Sequence, residues 1–225
     1  IKEVLTEVGA SFLGGDFGRA ADWHYTAVVV GETEQPLFRS KAQPGDLIYV
    51  SGKLGLGNLE ALLTIYAEQK IFRLIKNRFQ LRVQEAELIR EFATSCIDTS
   101  DGTVNALNTI ADQSDVGYII KQLPYIKKGL AAAKLSCLPS VLLLLGECGE
   151  YELLFTITPE AEAEFLQAAE KRELSFYKLG RITNSKHRLV KTKRQQLDLT
   201  ELNISARDYQ DVKIYLQELI NFVKG

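Results

Sequence analysis

The sequence predicts an α+β (mixed α/β) fold. Three observations carry this. Runs rich in β-branched and aromatic residues, such as YELLFTIT over 151–158, read as strands. Stretches with apolar residues every three or four positions read as helices. The two kinds are interleaved without the strict βα alternation of a doubly wound sheet.

Taken in order, residues 1–8 place Val4, Leu5 and Val8 at helical spacing and stop at Gly9, a suitable C-terminal residue. Residues 10–13 are an apolar run broken by Gly14-Gly15, which predicts a buried strand and a tight turn. WHYTAVVVG, 23–31, predicts a strand. The polar passage 32–45, with Pro36 and Pro44, is the expected linker, and 47–51 the strand that follows it. Helices are expected over 58–73 and 84–92, joined by the basic Lys76-Asn77-Arg78. A strand over 94–97 leads to Ser100, a suitable cap for a helix over 101–113 whose inner face carries Val104, Leu107, Ile110 and Ala111. Residues 116–120 predict a strand and 127–135 a helix. After the strand at 151–158, Pro159 opens a helix to Arg172, a position where proline fits the first turn. Residues 175–182 and 187–191 predict a pair of strands. The last helix, 209–223, has Val212, Tyr215, Leu216, Leu219, Ile220 and Val223 on one side.

Composition narrows the function. With 27 Lys+Arg against 29 Asp+Glu in 225 residues, the net charge of −2 argues against a basic nucleic-acid coat or a polybasic membrane binder. No apolar run reaches the length that crosses a bilayer. Three cysteines, Cys96, Cys137 and Cys148, with no CxxC pair, argue against a disulfide framework or a cysteine zinc site and favour a reduced cytoplasm. Two histidines exclude a histidine-rich metal centre, and His24 reads as a strand residue. Lys186 to Arg194 is basic without interleaved aromatics and reads as a solvated hairpin. There is no GxxxxGK[ST] loop and no GxGxxG.

Three clusters can carry chemistry. Gly14-Gly15-Asp16, at a strand exit, lets backbone approach a ligand while Asp16 offers a hard oxygen to Mg²⁺, with Arg19 nearby for a phosphate; such turns are also common in plain loops. In Cys96-Ile97-Asp98-Thr99-Ser100-Asp101-Gly102, two carboxylates straddle a strand-to-helix turn. That arrangement suits a metal–nucleotide site, and equally an ordinary capped helix. Gly146-Glu147-Cys148-Gly149-Glu150-Tyr151-Glu152 groups three acids before a strand and reads as a polar loop or plain surface. Cys148 has no base partner and reads as a small buried residue.

The order of these motifs resembles the thiamine-monophosphate kinases of the AIR synthase (PurM-like) superfamily. The residues that carry the resemblance are Phe12 to Asp16, the segment RSKAQPGDLIYVSG from Arg39 to Gly52, Cys96 to Gly102, Gly149 to Phe155, and Gly180-Arg181-Ile182. It covers about residues 1 to 183 and implies an ATP- and Mg²⁺-dependent phosphoryl transferase acting on a small molecule. In that family the nucleotide lies between an N-terminal α/β and a C-terminal α+β domain, and the N-terminal domains pair in a homodimer. Residues 1–36 are then the end of the first domain and 37–225 the second, with Ile1 expected to fall inside the first. By the same resemblance Asp16, Asp98 and Asp101 are metal ligands, Gly14 and Gly15 approach the phosphates, and Arg39 and Ser100 contact the nucleotide. Glu150 lies in the loop that faces the acceptor, and Asp98, Asp101 and Glu150 are the implied catalytic set.

Departures are visible too. GGDFGR stands where the kinases show GGDTTR, and glycine replaces one of the two adjacent acids of GGEDY. The helical ending replaces an aromatic/histidine one. These departures bear on the acceptor side, and nucleotide binding without transfer is the alternative reading.

Overall fold

The computed structural model describes residues 2–16, 18, 21–22, 26–66, 79–192 and 195–225, apart from the side chains of Thr64 and Tyr66. Arg19, His24, the basic connection 76–78 and the last part of the helix expected over 58–73 lie outside the described residues. The chain separates into two compact units, Ile1–Pro36 and Leu37–Gly225.

The first unit has one described helix, α1 (Lys2–Glu7), ended by Gly9 at φ +66. Two strand expectations fail here. Residues 10–13 and 26–31 form no strand, residues 23–25 lying outside the described ones, and Phe12, Leu13, Val28, Val29 and Val30 are exposed. Strand propensity becomes a strand only when a neighbour takes up the backbone N–H and C=O groups, and no described residue of this unit does so.

The second unit is a seven-stranded sheet in the order β2-β4-β1-β5-β3-β6-β7. The strands are β1 (Leu47–Val50), β2 (Ala93–Asp98), β3 (Gly117–Ile120), β4 (Leu153–Ile157), β5 (Tyr177–Thr183), β6 (Arg188–Lys191) and β7 (Gln196–Asp198). All pairings are antiparallel except β3 with β6. The helices are α2 (Leu56–Tyr66), α3 (Val83–Phe92), α4 (Thr103–Ser114), α5 (Lys127–Leu135), α6 (Leu142–Leu145), α7 (Glu162–Lys171) and α8 (Val212–Lys224). Among the described residues no helix is long and apolar enough to cross a membrane.

Strand β1, inside the sheet between β4 and β5, explains the layering. All four residues of β1 are buried because both faces of the sheet are covered there. Ile48 and Val50 join Val104, Leu107 and Ile110 of α4, Leu142, Leu144 and Leu145 of α6, and Leu216, Leu219 and Ile220 of α8. Leu47 and Tyr49 point the other way, onto Leu88 and Ile89 of α3 and Phe165 of α7. Tyr49, Phe155 and Phe165 pack their rings edge-on or stacked, with centroids 5.6 to 5.9 Å apart. Of the face expected on the last helix, Val212 alone is exposed.

Three other expectations are corrected. Part of the expected linker is packed: Ala42 is 1% exposed, and its N–H donates to Ser114 Oγ at 3.1 Å. The strands β5 and β6 do not pair with each other, because β3 lies between them. Arg188 and Lys186 in the basic run are paired with Asp112 and Asp115, respectively, so that face is not merely solvated. The insertion of β3 also explains Gly180. A Cβ there would lie 1.9 Å from the Ile119 carbonyl oxygen on β3. Gly180→Ala is expected to destabilise the unit by about 1 to 3 kcal/mol, read as a lowered urea midpoint.

Candidate functional site

The site grows out of the end of β2. Its last residue, Asp98, pairs with Leu153 of β4 at the edge of the sheet, and residues 99–102 turn the chain into α4. Ser100 does not cap that helix. The cap position is Gly102, at φ +91 and without a side-chain cap. The reason is a close approach: a Cβ on Gly102 would lie 2.9 Å from the Gly146 carbonyl oxygen and 3.0 Å from Glu147 Cα. Ser100 instead donates its backbone N–H to Asp98 Oδ2 at 3.2 Å.

Thr99, fully buried, ties this turn to the second acidic cluster. Its N–H donates to the Glu152 carbonyl at 2.9 Å, and its hydroxyl both donates to that carbonyl and accepts from the Glu152 N–H. Its carbonyl accepts from the Glu150 N–H at 3.0 Å. Two motifs some fifty residues apart thus share one turn.

Glu150 is 2% exposed and points inward. Oε2 accepts from the N–H groups of Gly55, Leu56 and Gly57 at 2.9, 2.7 and 3.3 Å. Oε1 accepts from the N–H of Asn58 at 3.4 Å and from its amide at 3.2 Å. The carboxylate therefore closes the N-terminus of α2, where unpaired N–H groups and the helix dipole favour an anion. Burial pushes the Glu150 carboxyl up, against the backbone N–H groups that pull it down.

Glu152, also expected in a surface loop, is buried as well. Its Oε2 accepts from Ser51 Oγ and its Oε1 from Arg82 Nη2, both at 2.6 Å. Arg82 Nη1 continues to Glu85 Oε1 at 2.6 Å. Gly52 is required beside this pair, since a Cβ there would lie 2.3 Å from both Arg82 Nη2 and Glu152 Oε1. Arg82 and Asn58 are missing from the residues that the sequence singled out.

The open face carries the charges. Asp98 is half exposed, with Arg39 Nη2 at 3.9 Å from Oδ1. Burial pushes its carboxyl up, but the Ser100 hydroxyl and N–H together with Arg39 outweigh that and hold it below the usual carboxylate value. Asp101 is exposed and meets Arg207 Nη2 at 3.1 Å. Beside Asp101 opens a cavity of about 540 Å³, walled by α4, by Leu145 to Glu147 and by residues 202–207. Among the described residues no three His, Cys, Asp or Glu side chains converge as a metal cage. Asp98 and Asp101 are a pair of hard, accessible oxygens on one turn. That donor chemistry fits Mg²⁺, which takes one or two carboxylates and fills its shell with water and phosphate oxygens. Gly14, Gly15 and Asp16 lie in the first unit, exposed and outside regular structure.

Comparison with known proteins bears on the family and the fold. Residues 43–192 match the family of AIR synthase related proteins, C-terminal domain. The thiamine-monophosphate kinase of Nitrosopumilus maritimus is 24% identical over 206 residues, covering 89% of this chain and 66% of that protein. That of Pyrococcus abyssi is 33% identical over 193 residues, covering 84% and 59%. Among solved structures, the thiamine-monophosphate kinase from Stenotrophomonas maltophilia superposes with a TM-score of 0.59 at 27% identity, over 71% of this chain and 54% of that one. AaThiL complexed with AMPPCP and TMP gives 0.55 at 25%, over 72% and 52%. The hydrogenase maturation protein HypE, at 16% identity and a TM-score of 0.57 over 76% and 57%, shows the likeness of fold alone. The chain thus spans between about half and two thirds of the length of these relatives. With a match over residues 43–192, this chain belongs to the AIR synthase-related family through its C-terminal domain.

Proposed function

We propose that the chain is part of an ATP- and Mg²⁺-dependent phosphotransferase that phosphorylates a small, phosphate-bearing acceptor, as its kinase relatives are named for doing. The observation that carries the reading is the turn 98–102. It presents two accessible carboxylates beside a mixed polar and apolar cavity, and Thr99 fixes it to the neighbouring loop.

Phosphoryl transfer asks for positioning and charge neutralisation more than for covalent chemistry. Asp98 and Asp101 would hold Mg²⁺, which when bound neutralises charge on the phosphate oxygens. The Arg39 guanidinium, close to Asp98, is placed to meet nucleotide phosphate, and Ser100 to contact the nucleotide. Gly14, Gly15 and Asp16, to which the resemblance gives phosphate and metal roles, belong to the first unit. The cavity beside Asp101 would take the acceptor. Glu150 acts as a positioning residue that holds α2 against this loop, in place of the catalytic role the resemblance implied. The reading includes a homodimer, to be checked by the mass in solution. It also includes a reduced cytoplasmic setting, which the three free cysteines fit.

A second reading, nucleotide binding without transfer, draws on Glu150, whose inward carboxylate is consumed by α2 and does not face an acceptor. One experiment separates the two. The full-length protein, given ATP, Mg²⁺ and thiamine monophosphate, is expected to release ADP and form thiamine diphosphate. Calorimetric MgATP binding without turnover on phosphorylated acceptors supports the second reading. Failure to bind nucleotide overturns both.

A further inference from the structure

Arg207 stands at the cavity on a fixed support. It lies in the short turn Ala206–Asp208, which is anchored from below. The Ala206 N–H and the Ser205 hydroxyl donate to Glu147 Oε2 at 2.7 and 3.1 Å, and the Glu147 N–H donates to Tyr215 Oη on α8 at 3.2 Å. The backbone is held, yet the side chain is 82% exposed and has one ion-pair contact, to Asp101. Among the described residues its Nε and Nη1 have no partner.

Other charges on the cavity wall are already engaged. Asp112 is taken by Arg188, and Glu147 by the turn itself. Asn108 Oδ1 accepts from the Tyr118 hydroxyl at 2.9 Å. Arg207 is therefore the cationic group of the wall with donors to spare. An exposed single-point ion pair is weak, so exchanging Asp101 for another anion costs little. A guanidinium gains more from a phosphate, which it can meet with two parallel N–H groups.

We propose that Arg207 is the residue by which this site selects an acceptor carrying an anionic group. Its guanidinium rests on Asp101 in the structure and passes to a phosphate of a small molecule seated in the cavity when a divalent cation takes up the Asp101 carboxylate. The inference rests on the reading of Asp101 as a magnesium ligand, and it adds a residue and a charge preference to the acceptor side.

The test is a calorimetric titration of the full-length protein with thiamine monophosphate and with thiamine, in Mg²⁺ and without nucleotide. Wild type is expected to prefer the phosphorylated probe by about tenfold or more, the scale of one charge-assisted contact. Arg207→Ala should remove that preference while leaving thiamine binding unchanged, and Arg207→Lys should keep part of it. In turnover, Arg207→Ala should raise the KM for the phosphorylated acceptor more than it lowers kcat. A preference retained in Arg207→Ala, an equal loss for both probes, or no preference in wild type overturns the proposal. Titration of wild type with ATP and Mg²⁺ is read separately: its failure sinks the phosphotransferase reading, whereas the acceptor titrations need no ATP.

Discussion

Glu150→Ala is expected to destabilise the Leu37–Gly225 unit by about 3 kcal/mol or more, which lowers the melting temperature by about 6 to 12 °C. The substitution removes an acceptor from four backbone N–H groups and from the Asn58 amide at once, in a place water reaches poorly. The first turn of α2 would lose its anion, and the Asn58 amide, which also donates to the carbonyls of Leu143 and Gly146, would lose one of its acceptors. Glu150→Gln keeps the shape but turns an NH₂ toward donors, so it should fall between wild type and alanine. Its pH behaviour is a separate check. Because the native carboxyl sits above its ordinary value, the native state binds the proton more tightly than the unfolded chain. Stability assigned to Glu150 therefore falls as pH rises from the ordinary glutamate value through the raised native one, and is level above it. Glu150→Gln should abolish that slope in thermal melts; an unchanged slope assigns it to other groups.

Asp98→Ala should do the opposite: leave the fold intact and remove the activity. The side chain is half exposed at the edge strand, and it accepts hydrogen bonds from the hydroxyl and N–H of the neighbouring Ser100. Its loss should lower stability by less than about 1 kcal/mol. The carboxylate is held below its usual value, so it is ionised at neutral pH and its Oδ1 is accessible. Removing a metal-binding oxygen from a phosphoryl transfer is worth several kcal/mol of transition-state stabilisation, about a hundredfold or more in rate. Steady-state turnover of ATP by the full-length variant, alongside its melting curve, checks both halves. Full activity in a folded Asp98→Ala protein would remove the turn 98–102 from the chemistry.

What the sequence made legible follows from how local each signal is. The strands β1 and β4 and the inner faces of α4 and α8 were readable because apolar spacing over a few residues decides them. The tetrad of leucines in α6 has no periodicity to read, and β7 is three residues long with Leu197 alone turned inward. The β5–β6 pair was misassigned because closeness in sequence suggests a hairpin, while β3 supplies a better-matched partner to both. The strands expected over 10–13 and 26–31 show the converse, propensity without a ladder.

At the site, Asp98, Ser100, Asp101 and Glu150 were legible as a pattern, and the family resemblance they supported is borne out. Their orientations were not. Whether Glu150 faces outward or caps α2 depends on residues more than ninety positions away. Arg82 reaches Glu152 across 70 positions and Arg207 reaches Asp101 across 106, so no local spacing encodes either contact.

The sheet order has a consequence for how the protein is made. Strand β1 precedes in sequence both strands that flank it, β4 and β5, which end at Ile157 and Thr183. At about 5 to 20 residues per second, Val50 waits on the order of ten seconds before Thr183 exists. During that time LIYV is an apolar segment with neither neighbour available, and it cannot lower its exposure by local pairing. Until then the segment is open to pairing with another copy. Slowing translation between residues 50 and 183 should lower the yield of soluble protein more than slowing it after 183.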